Sequence, residues 1–63
     1  MTDPAGRYRV TLTIDGRDTA IGWWNLRATA ERKFSGWVGE YGRDGSRITV
    51  VDTETGETLS AWP

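Results

Sequence analysis

The sequence predicts an α+β domain: a four-stranded antiparallel sheet with one helix packed on one face, in β-β-α-β-β order. Three observations lead there. Apolar residues alternate strictly from Arg7 to Ile14 and stop at Asp15-Gly16. An apolar stripe at spacings of three and four runs from Leu26 to Tyr41. Two further short β-type runs flank Thr53-Glu54-Thr55-Gly56. One helix across one face of such a sheet is the simplest two-layer arrangement that buries both apolar faces.

The chain has 63 residues, enough for one compact unit. Residues 1–6 hold Asp3, Pro4 and Gly6 without periodicity and are expected to form a flexible leader, with the domain over residues 7–63. In the first strand Tyr8, Val10, Leu12 and Ile14 share one face, and Arg7, Arg9, Thr11 and Thr13 the other. Asp15-Gly16 suits a two-residue type I′ turn, whose central positions both need φ > 0. A two-residue loop pairs Ile14 with Arg17, and a four-residue loop pairs it with Thr19. Because side chains alternate with period two, either register puts Ile21 and Trp23 on the face of Val10 and turns Ala20, Gly22 and Trp24 away.

Asn25 can cap a following helix, with Thr29 as a second candidate. Leu26, Ala30, Phe34, Trp37, Val38 and Tyr41 make one stripe on about four turns. Gly42 is placed for a left-handed stop, and Arg43-Asp44-Gly45-Ser46 is turn chemistry. Arg47 to Asp52 and Thr58 to Trp62 then form a second hairpin. An even loop keeps Ile48, Val50 and either Leu59 or Ala61 on one face, whereas an odd loop joins Val51 to Leu59. With the even loop, the expected core is Tyr8, Val10, Leu12, Ile14, Ile21, Trp23, Ala30, Phe34, Trp37, Val38, Tyr41, Ile48, Val50 and Leu59.

Composition narrows the function. Apolar residues are 37% and charged residues 27% of the chain, an ordinary globular balance. Without Cys or His there are no zinc ligand sets, disulfides or His-based catalysis to consider. Ser35, Ser46 and Ser60 have no nearby base implied by spacing, so no nucleophile is indicated. The carboxylates Asp15 with Asp18, and Asp52 with Glu54 and Glu57, fall in turns, where Asp satisfies local backbone, and the calcium-loop spacing is absent. No catalytic residue, metal or cofactor is therefore expected. With neither a membrane-length apolar run nor a signal-peptide pattern, the cytoplasm is the expected location.

Two surfaces could carry a function. The helix back presents Ala28, Arg32, Ser35, Gly36 and Gly39, and two interior glycines cost roughly 1 kcal/mol each relative to Ala. Small residues there would let another backbone approach, so a protein partner or a second copy is expected on this face. The outer sheet face is expected to show Arg7, Arg9, Trp24 and Trp62, a mixture suited to single-stranded nucleic acid through stacking and phosphate contacts. Eight basic against nine acidic residues, a net charge of −1, weigh against that second reading. Trp24 and Trp62 could instead cover each other in a minor apolar cluster.

The run from Tyr8 through the hairpin into Ala28-Thr29-Ala30-Glu31-Arg32-Lys33-Phe34 resembles the strand–hairpin–helix order of arm-type DNA-binding domains of phage integrases. Those domains insert a third strand and are strongly basic, and this chain does neither. Thr58-Leu59-Ser60-Ala61-Trp62-Pro63 is similar to the Ser-Leu-Trp-Pro segment of MbtH-like proteins, where it precedes the helix rather than following it. Neither similarity covers the chain, and no family is assigned.

Overall fold

The computed structural model describes residues 6–63. Five elements follow one another: β1 (Tyr8–Ile14), β2 (Arg17–Trp24), α1 (Arg27–Tyr41), β3 (Ser46–Asp52) and β4 (Glu57–Trp62). The strands form one antiparallel sheet in the order β2-β1-β3-β4, with α1 against β1, β2 and β3. This is the expected α+β architecture. Of the expected leader only Gly6 is described. It is buried, and a Cβ there would run into the backbone of Trp24.

The first turn is the two-residue form. Ile14 pairs with Arg17, and Asp15 and Gly16 sit at φ 52° and 82°, a left-handed pair that Asp tolerates and Gly adopts freely. Two residues later the strands depart from simple alternation. Thr13 faces Asp18 but Leu12 faces Ala20, leaving Thr19 as the extra residue of a β-bulge. A one-residue slip moves every following side chain to the other face. Gly22 therefore lies opposite Val10 and Trp24 opposite Tyr8, while Ile21 and Trp23 turn outward beside Thr11 and Arg9. The expected faces of residues 20–24 are thus reversed.

A second bulge sits in the other edge strand. The even loop is confirmed by Asp52 opposite Glu57, yet Val51 faces Thr58 and Val50 faces Ser60, so Leu59 is the extra residue. Ser60 and Trp62 then share the face of Val50 and Ile48. Trp24 and Trp62, expected on the outer face, both lie on the helix side. Each edge strand has slipped by one residue, and each slip swings a tryptophan toward the helix.

The fully buried apolar core is Val10, Leu12, Ala30, Ile48 and Val50, with Tyr8, Ile14, Ala20, Trp24, Phe34, Trp37, Val38 and Leu59 packed around it. Burial of a Val, Leu or Ile side chain is worth roughly 1.5–3 kcal/mol, and in a domain this small the partly buried ring must add to a short list of interior residues. Three expected core members are instead exposed: Ile21 at 50%, Trp23 at 36% and Tyr41 at 38%. The bulge accounts for the first two. Tyr41 lies at the helix end, its ring 6.4 Å from that of Trp37 in a T-shaped contact. Trp37 meets Trp24 in the same geometry, also at 6.4 Å. The indole of Trp24 lies over Gly22, where any Cβ would collide with it.

The helix ends differ from expectation in detail. Leu26, 66% exposed, occupies the N-cap position with no side-chain cap, so neither Asn25 nor Thr29 serves there. Gly42 has φ −67° and ψ 113°, extended rather than left-handed. The buried Ser46 hydroxyl donates to the Tyr41 carbonyl oxygen at 2.8 Å, satisfying one of the acceptors that a helix leaves free at its end.

Candidate functional site

With α1 on one side, the sheet presents its other side as three rows of side chains, because directly opposed residues of antiparallel strands share a face. Trp23, Arg9, Val51 and Thr58 form one row. Ile21, Thr11, Thr49 and Ala61 form the middle row, and Asp18, Thr13 and Arg47 the third. Ile21 is half exposed where the middle row reaches the edge strand β2, beside Trp23. The face is apolar toward Trp23, Ile21 and Val51, threonine-lined through its middle, and charged at Arg9, Arg47 and Asp18.

Arg9 lies over Trp23, its guanidinium carbon 5.7 Å from the ring centroid. That stacking holds the planar cation on the aromatic face. Arg9 Nε is buried and has no acceptor among the described residues. At the opposite end of the face, Thr13 donates from Oγ1 to Asp18 Oδ1 at 3.1 Å, which orients the carboxylate.

The residues expected for nucleic-acid binding do not come together. Trp24 and Trp62 are on the helix side, and Arg9 is the member of the set that lies in the outer rows. Arg7 is engaged elsewhere. It donates from Nε and Nη2 to the two carboxylate oxygens of Asp52 at 2.8 and 2.7 Å, and Nη1 lies 3.7 Å from Glu54. This bidentate clasp raises the Arg7 pKa above its ordinary value and lowers that of Asp52, in both cases chiefly through the hydrogen bonds between them. Asp52, only 6% exposed, also accepts from the Glu54 amide at 3.0 Å. The carboxylate cluster at this turn is thus a structural clasp, tied to the segment before β1 by the Thr53 amide and hydroxyl, which both donate to the Arg7 carbonyl.

The helix back gathers its expected residues more closely. Ala28, Arg32, Ser35, Gly36 and Gly39 are all exposed, and a Cβ at Gly36 or Gly39 would meet nothing within 4 Å. Arg32 and Gly36 line a surface depression of about 330 Å³ with Lys33, Trp37 and Glu40. On the flank nearer the sheet, Glu31 accepts from Arg27 Nε at 2.9 Å and from the Ser60 hydroxyl at 3.0 Å, and these two bonds hold it below the usual carboxylate range.

Among the described residues there is no cluster of three or more His, Cys, Asp or Glu able to hold a metal ion, and no helix long and apolar enough to cross a membrane. Comparison with protein-family models, curated proteins and solved structures finds no match for this chain. Sequence reasoning missed Ile21 and Trp23 as surface residues, and Lys33, Trp37 and Glu40 as lining the helix depression. Gly22 and Trp24 share a face in either register, so no signal in the sequence decided which side Ile21 and Trp23 take.

Proposed function

We propose that this chain is a small non-enzymatic interaction module that binds a protein surface through the outer face of its sheet, with the cytoplasm as its compartment on composition alone. The observation that carries this reading is Ile21, half exposed on the edge strand β2 of a sheet face that no described element covers, beside Trp23 and opposite Thr11. Aromatic anchors beside an arginine are the residues that dominate protein interfaces. The edges offer less. Bulges at Thr19 and Leu59 interrupt both outer strands, and bulges are a recognised means of blunting edge pairing. The helix back is the second candidate for the same function, on the strength of its depression and its open glycines.

Paired variants separate the two surfaces. Ile21→Lys places a charge in the outer face, and Gly36→Gln fills the depression on the helix. With association read by sedimentation and by co-purification with cross-linking from the native host, loss with Ile21→Lys alone is expected. Loss with Gly36→Gln alone transfers the function to the helix back, and a chain that associates with nothing in either assay overturns the reading. Arg9 beside Trp23 is the one feature favouring single-stranded nucleic acid. With a net charge of −1, binding to DNA or RNA is expected to be no tighter than micromolar. A salt-sensitive nanomolar titration, lost in Arg9→Glu, would replace the protein partner by nucleic acid.

A further inference from the structure

The arrangement of charge on the outer face selects an occupant. Resting on the reading above, we propose that the partner is a second copy of this chain, packed face to face about a twofold axis that runs along the Ile21–Thr11–Thr49–Ala61 row. Such an axis lays each residue of the middle row on its own counterpart and exchanges the two outer rows. Ile21 then meets the partner's Ile21, and the threonines meet threonines. Trp23 is met by the partner's Asp18, one strand spacing of about 4.8 Å from the position of Arg9.

That juxtaposition answers two observations at once. Arg9 leans over Trp23, toward β2, its guanidinium carbon 5.7 Å from the ring centroid. Asp18, oriented by Thr13, arrives on that same side with one carboxylate oxygen uncommitted by the Thr13 bond. The contact occurs twice, as an isologous interface requires. The lean also carries the Arg9 guanidinium away from β3, over which the partner's Arg47 comes to lie against Val51 with its aliphatic stem. Facing sheets at about 10 Å are the ordinary geometry of a sandwich, so the pairing needs no change in the fold.

The size of the face sets the strength. Four strands at about 4.8 Å and three rows spanning some 20 Å give on the order of 400 Å² of plan area per copy, about half that of a standard interface and in the class of weak, transient contacts. Association is therefore expected to be weak, at high micromolar concentrations and above.

The test is sedimentation of the purified chain across concentration, with a charge exchange. The parent is expected to reach a dimer, while Ile21→Lys, Arg9→Asp and Asp18→Arg each remain monomeric with parental circular dichroism. The double variant Arg9→Asp/Asp18→Arg, which restores the opposite-charge pair in reverse, is expected to recover the dimer. A parent that stays monomeric at millimolar concentration, or a double variant that does not recover, overturns the second copy as occupant. If that monomer still loses a host protein on Ile21→Lys, the interaction reading stands with another partner. If it loses none, both fall.

Discussion

At the scale of single residues, the interior is decided by close approaches and by one ion pair. Gly22 is required because the Trp24 indole occupies the space of its missing side chain. Gly22→Ala is expected to lift Trp24 from the Trp37 edge and cost ~1–3 kcal/mol, the usual penalty of overpacking, measurable by denaturant titration. The Arg7–Asp52 clasp is expected to appear in the acid limb of stability. Asp52 is held below its ordinary pKa, so its contribution is complete above the carboxylate range near ~4 and is lost as pH falls through the lower folded value. Glu31 adds in the same direction. Asp52→Asn should therefore melt at a lower temperature near neutrality and lose less on acidification than the parent does. Thermal melts from neutral pH down through the carboxylate range check both halves, and an acid limb as steep as the parent's would exclude Asp52 as its source.

Among the elements, the hairpins show what a sequence can and cannot convey. The Asp15-Gly16 turn, the four-residue loop after Asp52, the strand bounds and the helix were legible, because each rests on local chemistry or on a clear period. Their faces were not. Alternation is a rule about successive residues, and nothing in Thr19 or Leu59 announces that either will be skipped in the pairing. The skip is set by what it brings together: Trp24 over Gly22 and against Trp37, and Trp62 beside Ile48, burial that an unslipped register would forgo. Removing Thr19 leaves Asp18 opposite Thr13 and Ala20 opposite Leu12, so this deletion is expected to keep both faces and melt cooperatively near the parent. A loss of the near-ultraviolet signal of the packed tryptophans in that variant would contradict the bulge. Trp37, held between Trp24 and Tyr41, joins helix to sheet. Trp37→Ala is expected to cost ~3–5 kcal/mol, read by chemical denaturation.

For the whole molecule, five fully buried apolar side chains among the described residues leave a thin interior, and marginal stability is expected of so small a domain. A second copy would then act on stability as well as on function, since whatever binds only the folded form raises its melting temperature by mass action. The melting temperature of the parent should rise with protein concentration, and that of Ile21→Lys should not. A parent melt independent of concentration would leave the outer face without a role in holding the fold. The candidate surfaces were half visible in the sequence. The exposed helix residues followed from angular spacing alone, whereas the outer sheet face depended on a register that only the tertiary packing of two tryptophans resolves.

Trp23 and Trp24, adjacent in the chain, look out of opposite sides of the sheet. Of the four tryptophans, these two report on opposite sides of the sheet from positions a single peptide bond apart. Emission from Trp23 follows the polarity of whatever touches the open face and is the component that an aqueous quencher such as iodide reaches. Emission from Trp24 follows the seating of the helix. Trp37 and Trp62 share the helix side with Trp24, so the difference between the parent spectrum and that of Trp23→Phe isolates the open-face component, without a label attached to either surface.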